Sequence, residues 1–157
     1  MYSEVSTGTT FNIYLPLIKA DVHEIAPVEQ EKAIGGSETI LIAEDDELLR
    51  DLLASVLREY KYDVIEAKDG EEAVRKYKEN RDRIALVILD VVMPKMNGQA
   101  AGSEIMKIHP EAKILFQSGY PMDIMSQRGQ LDDMNHLLRK PCSPHEILKK
   151  VRELIDA

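Results

Sequence analysis

The sequence predicts an α/β fold with a doubly wound, five-stranded parallel sheet. From Glu38 to Ala157, short apolar segments alternate with segments whose apolar residues recur at helical spacing. The segment Ile84–Leu89 is entirely aliphatic, which is typical of a central strand covered on both faces. Right-handed crossovers would place helices on both faces of such a sheet and a ligand cleft at the carboxyl ends of its strands.

The first two predicted units rest on an apolar run, a helical stripe and a capping pattern. Thr39–Ala43 is an apolar run, and Glu47–Tyr60 carries leucine and valine at helical spacing. Tyr62–Glu66 is a short strand, and the pair Asp69 and Glu72 has the spacing of a capping box that opens a second helix. The residues of the first helical stripe are Leu49, Leu52, Leu53, Val56 and Leu57.

The third and fourth units follow the same order. The aliphatic strand ends at Asp90, and Gly98–Ile108 has a weaker helical pattern. Lys113–Gln117 is predicted as the fourth strand, and Met122–Gly129 as a helix rich in methionine.

The last unit ends the chain. Asn135–Leu138 is predicted as the fifth strand. Ser143, Pro144 and Glu146 supply the cap, the first-turn proline and the capping-box partner of a final amphipathic helix. With this helix the alternation amounts to five strand–helix units.

Before these units, the first residues form a separate region. Thr10–Leu15 alternates apolar and polar residues, which predicts a short strand that Pro16 stops. A charged stretch with proline and glycine follows, as expected of a linker. We therefore divide the chain into residues 1–17, a linker 18–37 and a domain 38–157.

Composition limits the functions that the chain can have. Its 157 residues carry a formal net charge of −8, which argues against nucleic acid or an anionic membrane as a partner. The single cysteine, Cys142, excludes an internal disulfide and fits a reducing compartment. No apolar run approaches the roughly 18 residues of a membrane span. We therefore expect a cytoplasmic protein.

Polar residues follow four of the five predicted strands. Each has an ordinary alternative role, because acidic residues cap helices, aspartate and serine initiate turns, and lysine is common on surfaces. Strand ends of a parallel sheet lie side by side, however, so these residues can converge in one cleft. They are Glu44, Asp45 and Asp46 after the first strand, Asp90 after the third, Ser118 after the fourth and Lys140 after the fifth.

Converging carboxylates indicate a divalent cation. They repel one another, and Mg²⁺ with oxygen ligands relieves that repulsion. We expect oxygens from Asp45 and Asp90, one from the Val92 backbone, and a direct or water-mediated contact from Glu44.

The same cleft has the groups that phosphoryl transfer requires, which are chiefly a nucleophile and positioned charge. Asp90 would be the nucleophile. Ser118 would hydrogen-bond a phosphoryl oxygen, and Lys140 would supply a mobile point charge.

Four segments strongly resemble the receiver domains of two-component response regulators. The resemblance implies a flavodoxin-like fold with strand order 2-1-3-4-5, Mg²⁺ dependence and phosphorylation of Asp90 by a phosphohistidine. The donor would be a histidine kinase or a histidine phosphotransfer domain. A cis peptide before Pro141 and a possible weak homodimer are also implied. The four segments are Ile40–Glu47, Leu89–Gly98, Ser118–Tyr120 and Lys140–Pro141.

The chain leaves the choice of acidic pair open at one place and departs from the family pattern at another. Arg50 falls five residues after Asp45, as the family pattern has it, so Glu44 and Asp45 are taken as the acidic pair and Asp46 as the helix cap. Leu137 stands where the family often has an aromatic residue that swings inward. This difference argues against that form of signal relay.

The first residues are similar to the closing strand of the ATP-binding domain of sensor histidine kinases, over Gly8–Pro16. This resemblance implies the C-terminal part of a hybrid kinase. An ordinary arm or an added edge strand remains the alternative.

Three other functions are alternatives to a phosphoacceptor. A phosphatase of the haloacid dehalogenase class needs a second aspartate two residues after the nucleophile, where this chain has Val92. A docking module that is never phosphorylated is the second rival. A transcription factor is the third, and no basic or helical segment follows Ala157. We therefore expect a phosphoacceptor that assists only its own phosphotransfer and dephosphorylation, and not an enzyme.

Overall fold

The computed structural model describes residues 2–4, 8–14, 35–119 and 136–157. The predicted helix Met122–Gly129 and most of the predicted linker lie outside these residues. The chain divides into two units, Met1–Glu31 and Lys32–Ala157, which are described separately. Among the described helices, none combines the length and the apolar character that crossing a membrane requires.

In the first unit, strand β1 (Tyr2–Glu4) pairs antiparallel with strand β2 (Gly8–Thr10). The predicted strand Thr10–Leu15 is therefore wrong in its position, because β2 ends at Thr10 and residues 11–14 are not in a strand. A strand extends only as far as a partner backbone supplies hydrogen bonds, and β1 is three residues long. Phe11 and Ile13 are consequently exposed.

The second unit confirms the predicted parallel sheet. Its strand order is β4-β3-β5-β6-β7, which corresponds to the expected order 2-1-3-4-5. The strands are β3 (Thr39–Ala43), β4 (Asp63–Ala67), β5 (Ile84–Asp90), β6 (Ile114–Ser118) and β7 (Leu137–Arg139). The described helices are α1 (Glu47–Glu59), α2 (Gly70–Asn80), α3 (Gly98–Ile108) and α4 (Pro144–Asp156).

The core consists of two layers, one on each face of the sheet. Successive residues of a strand face opposite sides, so Leu41 packs with α2 and α3 while Ile40 and Ile42 pack with α1 and α4. All of β3 is buried, as expected of a central parallel strand. The core therefore holds the sheet rigidly on both sides.

The apolar stripe predicted for α1 is wider than the face that is buried. Leu53, Ala54 and Leu57 lie in the core, but Leu49 and Leu52 are exposed. The buried face of α1 therefore centres on residues 53, 54 and 57, and the leucines at the edge of the stripe lie outside it. Exposed leucines are thus left on the surface of α1.

Helix caps set the starts of the helices. The predicted capping box at α4 is confirmed, because Ser143 and Glu146 exchange both bonds. At α2 only half of the predicted box forms. Asp69 accepts from the Glu72 N–H at 2.8 Å, but the Glu72 carboxylate accepts from the Lys68 N–H at 3.0 Å. The cap uses only Oδ1 of Asp69.

Candidate functional site

The sheet register brings the candidate residues together at one edge. Ala43 pairs with Leu89 and Asp90 with Gln117, so the carboxyl ends of β3, β5 and β6 lie side by side. The Lys140 N–H donates to the Ser118 carbonyl at 2.8 Å, which brings the residue after β7 to the same edge. The main chain thus supplies the cleft that the strand order predicts.

Three carboxylates meet in this cleft. Oxygen atoms of Glu44, Asp45 and Asp90 all lie within 4.8 Å of one another. The Glu44 side chain is only 5% exposed and that of Asp90 12%, whereas Asp45 is exposed. We call these three residues the acidic cluster.

Hydrogen bonds of the main chain hold Glu44 in place. Its N–H donates to the Ala67 carbonyl at 3.1 Å, which extends the contact between β3 and β4 by one residue. Its carbonyl accepts from Arg50 Nη1 at 2.9 Å. In the sequence, Arg50 served only as a spacing marker for the acidic pair. In the structure it supports the acidic cluster from α1.

Asp46 has a different role from its two acidic neighbours. Its Oδ1 accepts from the N–H groups of Leu48 and Leu49 at 2.9 and 3.1 Å, so it is the N-cap of α1. Of the three consecutive acidic residues, the structure places Glu44 and Asp45 in the acidic cluster.

Lys140 is the cation that faces the acidic cluster. Its Nζ donates to Glu44 Oε2 and lies 3.3 Å from Asp90 Oδ1. The peptide bond between Lys140 and Pro141 is cis. One ammonium group therefore touches two of the three carboxylates.

Burial dominates the electrostatics of the cleft. Desolvation raises the pKa of Glu44 and of Asp90 above their ordinary values, although Lys140 counteracts part of the shift. Burial also lowers the pKa of Lys140, but the two carboxylates outweigh it, so that pKa is raised. Three acidic groups facing one ammonium leave an excess of negative charge when all are ionised.

The donor set of the acidic cluster fits a hard divalent cation. Carboxylate oxygens are the ligands that Mg²⁺ prefers, and opposite oxygens of its octahedron lie about 4.2 Å apart. The cluster oxygens, within 4.8 Å of one another, need to move little to reach that spacing. A bound ion would also offset the negative charge that Lys140 leaves.

The other residues singled out from the sequence have the following places. Ser118 ends β6 and is buried. Val92, two residues beyond Asp90, has an exposed side chain. Leu137 pairs with Phe116 and packs against the core layer of α2 and α3, while Tyr120 lies outside the described residues.

The sequence did not predict one contact beside the site. Lys95 Nζ donates to Asp69 Oδ2 at 2.5 Å, which joins the loop after β5 to the start of α2. The two residues are far apart in the sequence, and Lys95 has a positive φ of 63°. No short-range pattern could have indicated the pair.

Comparison with known proteins points to one family. The family model for the response regulator receiver domain matches residues 40–152. Sensor kinase CckA of Brucella abortus is 36% identical over 98% of this chain and 17% of its own length. Chemotaxis protein CheY of Thermotoga maritima is 34% identical over 73% of this chain and 95% of its own length.

A solved structure of a response regulator has a fold similar to that of this chain. The response regulator protein TrrA of Thermotoga maritima, in complex with Mg²⁺-BeF, has a TM-score of 0.67 and 30% identity. The match covers 74% of this chain and 98% of that one. The chain thus spans nearly all of a receiver protein but only 17% of the sensor kinase.

Proposed function

Because the chain belongs to the response regulator receiver domain family, we propose that Asp90 accepts a phosphoryl group in a two-component phosphorelay. The observation that carries this proposal is the place of Asp90 in the acidic cluster, with Lys140 Nζ 3.3 Å from its Oδ1. Phosphorylation would then shift the domain between two conformations.

The transfer follows from the chemistry of the side chains. An Asp90 oxygen attacks the phosphorus of a phosphohistidine, the O–P bond forms, and the N–P bond breaks with its electron pair returning to the imidazole. Lys140 moves from the carboxylates to a phosphoryl oxygen, and the Ser118 hydroxyl donates to another. The Lys140 ammonium and the Ser118 hydroxyl are both close to the cleft before the transfer begins.

We propose that Glu44, Asp45, Asp90 and the Val92 backbone hold Mg²⁺. When bound, the ion neutralises charge on the phosphoryl group and on the carboxylates. The Mg²⁺-BeF complex of the TrrA protein supports this assignment. The donor atoms of the acidic cluster support it independently.

Intact mass tests the phosphorylation site. After treatment with acetyl phosphate and Mg²⁺, the wild type should gain the mass of one phosphoryl group, and Asp90→Asn should gain none. Asp46→Asn is the matched control, because asparagine caps helices as well as aspartate and residue 46 caps α1 rather than joining the cluster. Loss of labelling in Asp46→Asn, or its persistence in Asp90→Asn, would show that the assignment is wrong.

The mass assay and a phosphatase assay together separate the rivals. A docking module would gain no mass under any condition. A phosphatase would release phosphate continuously from a generic phosphate ester, whereas the proposed phosphoacceptor would not turn over such a substrate. The absence of a carboxylate at Val92 supports the phosphoacceptor.

The exposed leucines of α1 support a surface for the phosphohistidine donor. Leu48 is 80% exposed and Leu52 62% exposed, and the N-cap of this helix directly follows Asp45 of the acidic cluster. Large exposed apolar residues on one helix are typical of a protein contact. We propose that a helix bearing the phosphohistidine, from a histidine kinase or a phosphotransfer domain, packs on this surface.

Transfer rates test this surface. With a phosphorylated histidine phosphotransfer domain or kinase core that labels the wild type as donor, the double variant Leu48→Gln with Leu52→Gln should accept phosphoryl groups about tenfold more slowly, because apolar contact area is lost. Labelling by acetyl phosphate is the internal control and should not change. Equal slowing with both donors would mean that the leucines act on the site and not on docking.

We also propose that the parent protein is a cytoplasmic or membrane-anchored hybrid kinase. The similarity to CckA extends over 98% of the chain and so includes residues before the receiver match. Residues 1–17 would then be the end of the kinase ATP-binding domain, residues 18–37 the linker, and residues 38–157 the receiver domain.

A further inference from the structure

The loop between β5 and α3 is attached to neighbouring elements along its length. At its start, the Val91 N–H donates to the Gln117 carbonyl at 2.9 Å, and Met93 is buried. At its end, the Gly98 N–H donates back to the Val91 carbonyl at 3.1 Å. The outer part of the loop, residues 94–97, is joined to α3 by the Asn97 cap and packs Met96 against the core. Two further contacts bind it to the start of α2.

The first of these contacts is the ion pair of Lys95 and Asp69. Lys95 is 54% exposed, but the Asp69 carboxylate is only 3% exposed. One Asp69 oxygen receives the Glu72 N–H at 2.8 Å and the other receives Lys95 Nζ at 2.5 Å. The Lys95 ammonium and the Glu72 N–H lower the pKa of Asp69, so this carboxylate is charged when it binds the loop.

The second contact is between main chains. The Gly70 N–H donates to the Met96 carbonyl at 3.2 Å. A Cβ at position 70 would lie 2.3 Å from that oxygen, so the approach requires glycine. The two contacts involve consecutive residues on both sides, and they bind the loop to the N-terminus of α2 as one unit.

Lys95 adopts a backbone conformation that side chains other than glycine seldom take. Its φ is 63°, in the left-handed region, which is unfavourable for an ordinary residue because its Cβ approaches the following carbonyl oxygen. The bond to a buried, charged acceptor offsets this cost. A lysine is therefore retained here in place of the glycine that the backbone would favour.

We infer that the Lys95–Asp69 ion pair is a positioning pair for the acidic cluster, which fixes the main chain of residues 91–97 and so sets the affinity for Mg²⁺. The inference rests on the proposed function, since Asp90 and the Val92 backbone are proposed ligands on either side of Val91. Groups that orient a metal ligand commonly change metal affinity by about 10- to 100-fold when they are removed. The Lys95–Asp69 pair does not contact a proposed ligand directly, so its removal should change the Mg²⁺ affinity by less than this.

An NMR titration with Mg²⁺ tests the inference. Backbone amide shifts near Asp90 should report a Kd that is about fivefold higher for Lys95→Met than for the wild type. Lys95→Arg, which keeps a cation, should restore most of the affinity. Lys95→Gly removes the cation but relaxes the positive φ, and it should bind Mg²⁺ as weakly as Lys95→Met.

Lys107→Met is the matched control. Lys107 pairs with Glu104 at 2.7 Å on α3, so this variant removes one positive charge and one ion pair without touching the loop. Its Mg²⁺ affinity should equal that of the wild type. A Kd shift as large as that of Lys95→Met would mean that net charge, and not positioning, is responsible.

Thermal unfolding separates positioning from stability. If Lys95→Met lowers the Tm but leaves the Kd for Mg²⁺ unchanged, the pair is only structural and the inference is overturned. If the wild type itself shows no Mg²⁺-dependent shifts, the proposed metal site is wrong and the inference falls with it. The two failures are thus distinguishable.

Discussion

Lys140 contacts Glu44 and Asp90 at the same time, and both carboxylates are largely buried. Removing one partner from a buried ion pair leaves a charge that neither water nor protein neutralises. In this cleft the removal would leave three carboxylates without the ammonium that now faces two of them. Lys140 therefore stabilises the unphosphorylated cleft as well as the proposed phosphorylated one.

We expect Lys140→Met to lower the free energy of unfolding by about 2 kcal/mol at pH 7.5, less than for a fully buried pair because Lys140 is partly exposed. Burial raises the pKa of Glu44 and of Asp90, so the folded state takes up protons more readily than the unfolded chain. Ionisation of these two carboxyl groups therefore lowers the free energy of unfolding as the pH rises above their ordinary pKa values. The stability lost in Lys140→Met should be smaller at pH 5 than at pH 7.5, because fewer carboxylates are then charged.

Urea unfolding at both pH values, with and without Mg²⁺, measures this effect. Mg²⁺ should restore part of the lost stability, because it neutralises the same carboxylates. Lys150→Met is the control, since Lys150 pairs with Glu153 at 2.9 Å on the surface of α4. A loss in Lys140→Met that is independent of pH and Mg²⁺ would contradict the electrostatic account.

At the scale of elements, the junction between β5 and α3 determines where Asp90 lies. A Cβ on Gly98 would be 2.2 Å from the Asp90 carbonyl oxygen and 3.2 Å from Val91 Cα. The start of α3 therefore lies directly against the end of β5. This contact allows a short loop to carry Asp90 and Val92 at the edge of the sheet.

We expect Gly98→Ala to lower the free energy of unfolding by about 2 kcal/mol, because backbone atoms must move to admit the methyl group. Chemical denaturation measures the change. Gly119→Ala is the control, since a Cβ at that position would have no atom within 4 Å among the described residues, and it should change stability by less than about 0.5 kcal/mol. Equal effects of both substitutions would show that the close contact is not the cause.

At the scale of the whole receiver unit, Arg152 joins its two ends. Arg152 Nη2 lies 2.9 Å from Glu38 Oε1 and 2.8 Å from Asp156 Oδ1. Arg152 Nη1 also donates to the Tyr62 hydroxyl at 3.4 Å. The last helix is thereby bound to the residue that precedes the first central strand.

We expect Arg152→Met to cost about 1 kcal/mol of stability at pH 7, the upper range for a partly exposed network. The side-chain bond to Arg152 lowers the pKa of Glu38. The ion pair of Glu38 therefore contributes to the free energy of unfolding at pH values above the pKa of Glu38 in the unfolded chain. This contribution disappears as the pH falls through the pKa of Glu38 in the folded protein. Wild type and variant should thus differ little in stability near pH 3.

Unfolding midpoints measured between pH 3 and pH 7 test this prediction. Arg75→Met is the control, because the ion pairs that Arg75 makes among the described residues are short-range pairs with Glu72 and Glu79 on α2. That variant should lose a few tenths of a kcal/mol. A pH-independent loss in Arg152→Met would mean that packing of the side chain, and not the ion pairs, matters.

Local patterns explain why the sheet and the cleft were predictable. The aliphatic run before Asp90 and the cap at Ser143 each have a single favourable structure, and residues at strand ends must meet if the sheet is parallel. Strand limits shifted by a residue or two, as for β4, because backbone pairing and not side-chain pattern decides where a strand ends. The predicted strand at Thr10 failed for the same reason.

Some contacts were not predictable from local pattern. The acidic run Glu44, Asp45 and Asp46 looks uniform, and only the family resemblance with the spacing to Arg50 indicated that Asp46 is the cap of α1 and not part of the cluster. The stripe of α1 did not indicate that Leu52 is exposed, since hydrophobicity alone does not say how a helix is rotated on a sheet. The Lys95–Asp69 pair depends on a backbone conformation that no neighbouring residue requires.

The amino-acid sequence by itself determined the alternation of strands and helices, the parallel sheet and the chemical identity of the groups at its edge, because these follow from local periodicity and from the geometry of parallel strands. Only the tertiary structure decided how deeply Glu44 and Asp90 are buried and that the Lys140 ammonium contacts both of them. Burial and distance between remote residues depend on how helices pack on the sheet, and this packing involves the whole domain at once.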